Sequence, residues 1–369
     1  MITVNGPGEL YYWVMPLLNA LSAEKVPVQI WIFLTPCQFS SGSEQKALQK
    51  NQLVTKIFSP QETMRICWGW SGLIFPFRGL VLFLGGDIFN AVLLKKRSGY
   101  PLWIYGSHLR WPRRVDLFLA RYRRDYDRYQ FSPKVFVGDL LHSYVQEGKV
   151  SSTNERISFC SGSPRILFLP GSRSVAYGYI LDYYRRVAGL LRHPFPDSTF
   201  AFGFPGYYST EDIPLPDLDH LGIPYFFGET SDLMSQADIT VTIPGSNNME
   251  LFYRKKQALI LLPLESTDQF IPLTGISGLI EKIPGIGPMI KRKVIQSLNR
   301  KKKWVSLPNI LMNREIYPEL RGKIPPENVV SKVKELFHGP PFGIEASEKE
   351  FPSSTAAVMT RLVQEQILC

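Results

Sequence analysis

The sequence predicts an α/β protein built from two doubly wound, parallel-sheet domains. Three observations carry this. Short runs rich in aliphatic and β-branched residues alternate with helical patterns along most of the chain. The runs are apolar throughout rather than alternating, as strands covered on both faces are. The rhythm also occurs twice, on either side of a polar stretch near 150–163.

In order, Met1 to Val4 reads as a strand, followed by a Gly/Pro loop and a helix over Tyr11 to Ser22. Val28 to Leu34 is a second strand, and Leu80 to Leu84 a third that ends in Gly85-Gly86-Asp87. Leu102–Tyr105, Leu117–Ala120 and Val135–Val137 are shorter strands, the last running into Gly138-Asp139. The rhythm then restarts. Arg165 to Leu169 is a strand followed by Pro170-Gly171-Ser172-Arg173-Ser174 and a helix over Val175 to Leu191. Strands over Thr199–Gly203, Tyr225–Phe227, Ile239–Ile243 and Leu259–Leu262 complete the second set. Residues 307–322 read as two short helical pieces punctuated by Pro308-Asn309 and Pro318-Glu319. This gives a first domain over 1–155, a second over 156–338, and a linker plus C-terminal helix over 339–369 expected to pack back on the first domain. Such sheets bind ligands at the carboxyl ends of their strands, and two facing domains would put a site in the cleft between them.

Composition narrows the class. Of 369 residues, 44% are hydrophobic and 20% charged, which excludes wholesale disorder and collagen-like structure. Four cysteines, far apart, form no CxxC pair, so neither a zinc cage nor a disulfide scaffold is expected. The five histidines have no HExxH spacing. No apolar run approaches the roughly 20 residues that span a bilayer, and the N-terminus has no secretory pattern. The net charge of +10 calls for a polyanionic partner, whether a membrane surface, a nucleic acid or a phosphorylated substrate. No recognition helix or aromatic-bearing sheet module for nucleic acid is evident, so none is expected.

Three motifs carry chemistry. In Arg165 to Ser174, a strand enters a Gly/Ser turn before a helix. Helix N–H groups with Arg173 suit a phosphate, although an ordinary βα turn with a solvated arginine fits equally. In Ile243 to Leu251, Gly245, Ser246, Asn247 and Asn248 either donate to phosphate or cap the helix. Glu250 either accepts ribose hydroxyls or caps its own helix. The third, Leu307 to Gly322, alone reads as a connector.

Taken together and in this order, LPGSR, GS…E on a helix and LPN…PEL resemble the lipid-A-disaccharide synthase family, glycosyltransferases of the GT-B type. The N-terminal half adds NGPGELYYWV, LFLGGDIFN, PLWIYGSHLRW with Arg113 and Arg114, and VFVGDLLHS. The resemblance covers roughly residues 4 to 337 and implies a GT-B-like fold of two Rossmann-like domains facing a cleft. It departs in the first loop, where Leu10, Tyr11, Tyr12 and Trp13 follow Glu9. It departs again at Asp87, the lone aspartate of a shortened segment, and at Asp139, which replaces a histidine.

The resemblance implies inverting, metal-independent transfer of an acylated glucosamine unit from UDP to a lipid acceptor. UDP-sugar is then a substrate, and no cofactor is expected. On this reading Asp87 is the base, with Glu9 beside it. Gly171, Ser172, Arg173, Gly245, Ser246, Asn247, Asn248, Glu250 and Asn309 hold the UDP-sugar. A sugar-nucleotide epimerase or an inactive binding protein on the same fold is the alternative. A homodimer is compatible with the family.

Lipid substrates call for a membrane surface. Residues 275–290 are apolar and Gly/Pro-rich, and Lys291, Arg292, Lys293, Arg300, Lys301, Lys302 and Lys303 follow within thirteen residues that contain no acid. An apolar wedge beside a basic tract suits an anionic lipid surface, whereas a solvated loop is the plain alternative. Arg110, Arg113 and Arg114 are placed on the acceptor or membrane side, with helix-surface ion pairs as the alternative for the Arg110 to Arg128 stretch. The aromatic segment Trp68 to Phe77 is either a second membrane or acyl-chain contact or a buried loop. The expected location is cytoplasmic, peripheral on the inner face of the plasma membrane.

Overall fold

The computed structural model describes residues 1–36, 48–49, 51–146, 162–171, 177–206, 208–210, 213, 223–263, 303–340 and 349–368. The chain forms two compact units, Met1–Lys149 with Ala346–Cys369, and Val150–Glu345.

Unit 1 holds a seven-stranded sheet in the order β3-β2-β1-β4-β5-β6-β7, and every pairing is parallel. Its strands are β1 (Ile2–Val4), β2 (Ile30–Leu34), β3 (Val54–Phe58), β4 (Val81–Phe83), β5 (Leu102–Gly106), β6 (Leu117–Ala120) and β7 (Lys134–Phe136). β1, β2 and β6 are buried at every position because helices cover both faces. Beyond a short helical turn at Pro7–Glu9, its described helices before residue 150 are α1 (Met15–Ala23), α2 (Pro60–Trp68), α3 (Ile88–Ser98), α4 (Arg123–Arg128) and α5 (Leu140–Gln146). The first crossover is not one regular helix, since a π-helical turn over Leu10–Val14 precedes α1. Pro16 lacks the N–H that a regular turn would use there.

β3 and α2 form an element pair that the apolar-run pattern misses. β3 is amphipathic, and Lys56 lies over the Trp31 ring at 4.1 Å. α2 opens with a capping box in which Ser59 and Glu62 satisfy each other's backbone N–H groups.

The last helix, α11 (Thr355–Leu368), belongs to unit 1 and packs on α1 and α5. Ala356, Met359 and Val363 are buried in the unit 1 core. The segment before α11 is pinned to α5. His142 Nδ1 lies 2.9 Å from the Phe351 carbonyl, Ser143 donates to the Ser353 carbonyl, and the Ala356 N–H donates to Ser143 Oγ at 3.2 Å.

Unit 2 holds a six-stranded parallel sheet in the order β10-β9-β8-β11-β12-β13. Its strands are β8 (Arg165–Leu169), β9 (Thr199–Phe204), β10 (Tyr225–Phe227), β11 (Ile239–Thr242), β12 (Gln257–Pro263) and β13 (Glu319–Gly322). Its described helices are α6 (Tyr177–Leu191), α7 (Thr230–Gln236), α8 (Asn247–Tyr253), α9 (Leu307–Met312) and α10 (Pro326–His338). The second piece of 307–322, read from the sequence as helical, is the edge strand β13. Its half-buried Glu319 and Arg321 fit an edge rather than a buried strand. Phe168, Phe200, Phe202, Tyr177 and Tyr184 form much of the core.

Candidate functional site

In a doubly wound sheet the ligand crevice lies where strand order reverses, beyond the carboxyl ends of the central strands. In unit 1 that point is between β1 and β4. The helical turn Pro7–Glu9 after β1 carries Glu9, and the loop after β4 carries Gly85-Gly86-Asp87, so these two segments meet at the switch point.

Glu9 is half-buried and has no basic partner in the interactions that shift its acidity. Its carboxylate accepts the Asn5 backbone N–H at 3.2 Å, together with the N–H groups of Gly6 and Gly86. Burial pushes its pKa up to about 7, and the three backbone bonds hold it from rising further. Gly85 makes this approach sterically possible, because a Cβ there would lie 1.9 Å from Glu9 Oε2.

Asp87 is exposed and caps α3, its Oδ1 accepting the Phe89 N–H at 2.9 Å. The two residues named as catalytic therefore sit on adjoining segments at one strand edge, Asp87 as a helix cap and Glu9 as a carboxylate tuned to neutral pH.

Farther along the same sheet, Asp139 is buried between β5, β6 and α5. Arg121 Nη2 lies 2.8 Å from its Oδ2, and the Tyr122 and Tyr105 hydroxyls donate at 3.1 and 3.4 Å. The Leu141 N–H adds a bond at 3.1 Å. The Arg121 guanidinium lies over the rings of Trp13 and Tyr122, at 4.9 and 4.8 Å. This carboxylate replaces the resembled family's histidine, and here it serves as the counter-charge of a buried arginine. Nothing local in the sequence marks it, because Arg121 and Asp139 are joined only by the sheet.

The other arginines of 110–128 divide. Arg110, Arg113 and Arg114 are exposed on the β5–β6 connection. Arg123 pairs with Asp127 at 3.4 Å, one turn on along the helix surface, and Arg124 lies 3.9 Å from the buried Asp125.

In unit 2 the switch point lies between β8 and β11. Gly171 there has φ +93°, and a Cβ would lie 2.6 Å from the Ile243 side chain, so the two expected phosphate loops touch. Gly171 is described, whereas Ser172 and Arg173 lie outside the described residues. Gly245 and Ser246 are exposed at the start of α8, and Asn247 is half-buried. Asn248 is buried and braces the turn. Its Nδ2 donates to the Ile243 carbonyl at 3.2 Å, and its Oδ1 accepts the Gly245 N–H at 3.1 Å.

Two of the expected residues are held by partners within the protein. Glu250 neither caps α8 nor faces solvent. It is buried, with Oε1 accepting Ser231 Oγ at 2.6 Å and Arg254 Nε at 2.9 Å, and it ties α8 to α7. A buried carboxylate attracts such partners because leaving it unpaired is costly.

Asn309, expected on the nucleotide, is buried with its whole hydrogen-bonding capacity used. Its Oδ1 accepts the N–H groups of Ile316 and Tyr317 at 2.8 and 2.9 Å. Its Nδ2 donates to the Tyr317 carbonyl at 2.8 Å and Glu319 Oε1 at 2.9 Å. Glu319 also accepts the N–H groups of Val305 and Ser306. The LPN…PEL motif is thus a knot that fastens α9 to β13.

Of the basic tract, Lys303 is described. It is exposed, with Nζ 5.3 Å from the Trp304 ring, and Lys291, Arg292, Lys293, Arg300, Lys301 and Lys302 lie outside the described residues. Among the described residues no helix is long and apolar enough to cross a membrane.

No family model matches the chain. A lipid-A-disaccharide synthase from Colwellia psychrerythraea is 28% identical over 224 residues, which are 58% of this chain and 49% of that protein. The chain spans about half the length of the curated relatives it matches. Among solved structures, a UDP-N-acetylglucosamine 2-epimerase assigned in Listeria monocytogenes superposes with a TM-score of 0.63 at 11% identity, over 100% of this chain and 96% of that one. The UDP-GlcNAc 2-epimerase of Neisseria meningitidis, bound to UDP-GlcNAc, gives 0.62 at 11% identity over 99% of both chains. With two all-parallel sheets flanked by helices, these neighbours place the chain in the GT-B-like fold class.

Proposed function

The chain is a divergent relative of the lipid-A-disaccharide synthase family, and from that premise we propose that it is a UDP-sugar-dependent glycosyltransferase acting on a lipid acceptor. The observation that carries this reading is the Glu9 carboxylate at the unit 1 switch point, with a pKa raised to about 7. A general base works best when its pKa lies near the working pH.

In the proposed reaction Glu9 takes the proton of the acceptor hydroxyl as that oxygen bonds to the anomeric carbon. The bond from that carbon to UDP breaks on the opposite face, and UDP leaves with the electron pair, inverting the centre. Asp87, next to Gly86, is the second candidate for the base. The donor is assigned to unit 2, where Gly171, Gly245, Ser246 and Asn247 edge the switch point and Ser172 and Arg173 follow in sequence. The solved neighbour bound to UDP-GlcNAc supports a nucleotide-sugar ligand for this fold. Asn248 and Glu250 are given positioning roles beneath the loop, and Asn309 a structural one. The basic tract from Lys291 to Lys303, with Arg110, Arg113 and Arg114, is assigned to the anionic surface that presents the acceptor. The proposed location is therefore the inner face of the membrane.

The test is UDP release from UDP-N-acetylglucosamine and from its 2,3-diacyl derivative, with and without a lipid-linked glucosamine 1-phosphate. Acceptor-dependent UDP release with formation of a disaccharide supports the proposal. Conversion of UDP-N-acetylglucosamine to its 2-epimer without acceptor overturns it in favour of the epimerase reading. UDP binding without turnover of any of these points to an inactive binder.

A further inference from the structure

The aromatic segment after α2 is not a buried loop. Trp70 is 76% exposed, Ile74 86% and Phe77 95%. It starts where Trp68 lies 6.1 Å from Phe89, in the first turn of α3. It ends where Phe75 meets Tyr100 at 6.3 Å and the Tyr100 hydroxyl donates to the Pro76 carbonyl, beyond the last turn of α3. The exposed apolar strip therefore runs the length of α3, from the carboxyl edge of the unit 1 sheet to its amino edge.

At that amino edge, a cavity of about 570 Å³ opens within unit 1. This lies within the span of roughly 300–1,000 Å³ typical of small-molecule sites. Its buried wall is aliphatic, with Leu17, Leu21, Leu80, Leu82 and Val363 among the residues that form it, except for the Tyr100 ring. Phe77, the end of the strip, is one of its exposed lining residues, and Arg78 follows directly. The last turn of α3 adds Lys96 and Arg97, whereas Lys95 is paired with Asp116, and the Arg97 guanidinium lies against Gly69 between Trp68 and Trp70. An aliphatic hole, an exposed aromatic approach and a basic fringe match the three zones of an anionic lipid: chain, interface and headgroup.

We propose that this cavity takes one acyl chain of an anionic membrane lipid, entering along the Trp70–Phe77 strip, with Arg78 and the α3 terminus meeting the headgroup. The site lies at the opposite edge of the sheet from Glu9 and does not depend on the transferase reading. It anchors unit 1 to the surface.

Parinaric acid fluorescence tests the cavity directly, without UDP or acceptor. The parent chain is expected to bind one equivalent saturably. Ile367→Trp and, separately, Val28→Trp place a ring into the cavity from half-buried lining positions. Either should weaken binding by about tenfold or more, the equivalent of roughly two methylene groups losing their burial, at an unchanged melting temperature. If one variant does not fold, the other serves. Flotation on phosphatidylglycerol vesicles tests the route. The double variant Trp70→Asp with Ile74→Asp, neither of which lines the cavity, should float less than the parent yet still bind monomeric parinaric acid. Unchanged parinaric acid affinity in the folded filled variants overturns the chain site, and unchanged flotation of the double variant overturns the membrane route.

Discussion

Glu9 and Asp139 are carboxylates at the same edge of one sheet, and they differ in what surrounds them. Asp139 meets a buried guanidinium and two tyrosine hydroxyls and is paired with Arg121. Glu9 meets only backbone N–H groups, which soften the burial penalty without cancelling it, and its pKa stands at about 7. Position in the fold brings both to the edge where ligands bind, but the absence of a cation among the groups that shift Glu9 leaves it able to exchange a proton at neutral pH. Glu250 of unit 2 repeats the Asp139 pattern with Arg254. What separates the carboxylate proposed as base from a structural one here is the partner and not the loop.

The contrast can be broken most severely at Asp139. Asp139→Asn leaves Arg121 buried without its counter-charge, and denaturant unfolding should show a loss of about 3–5 kcal/mol. A loss below about 1 kcal/mol would mean that the pair is solvated and the contrast false. Next in size, Glu9→Gln should lower turnover by about 100-fold or more, roughly 2.7 kcal/mol of barrier, while calorimetric UDP affinity stays put. Near-parental turnover moves the base to Asp87.

The pH dependence sharpens the comparison further. The rate with limiting substrate should rise through about pH 7 as Glu9 loses its proton, and Glu9→Gln should lack that limb. The sign for stability is opposite. A carboxyl whose pKa is raised on folding stabilises the fold when protonated. That contribution is complete below its unfolded value near 4.5 and is lost as the pH climbs through about 7. Melting curves of Glu9→Gln should be flatter over this range than those of the parent. The smallest effect concerns Asp87. Asp87→Ala removes a helix cap and should cost about 1 kcal/mol, whereas Asp87→Asn keeps the cap and should be nearly neutral. A large loss of turnover in Asp87→Asn at unchanged stability would give Asp87 the base role instead.

The strands that run through the middle of each sheet were legible because burial on both faces makes them continuously apolar, as in IWIFL of β2 and RILFL of β8. The edges were not. VTKIF of β3 carries a lysine at an exposed position and ELRG of β13 carries a glutamate and an arginine at half-buried ones, so the first was missed and the second read as helix. The candidate residues show the same division. Glu9 and the Gly85-Gly86 turn could be found from a glycine-rich loop beside an acid, but the 1.9 Å fit between them could not. Asn309 sat in a recognisable motif, yet whether an asparagine faces a ligand or closes a knot depends on partners up to ten residues away. Arg121 and Asp139 are 18 residues apart and meet only because β6 and β7 are neighbours.

Because unit 1 is completed by residues 346–369, unit 2 is inserted within it rather than appended to it. A ribosome therefore finishes all of unit 2 before it makes Phe351, Ser353 and the α11 face that closes over α1 and α5. Until then the seven-stranded sheet emerges with Leu17, Leu140 and their neighbours uncovered, and it must wait through nearly two hundred residues of further synthesis. The nascent chain thus carries its own interval of vulnerability, in which holding chaperones have most to gain from the half that was made first.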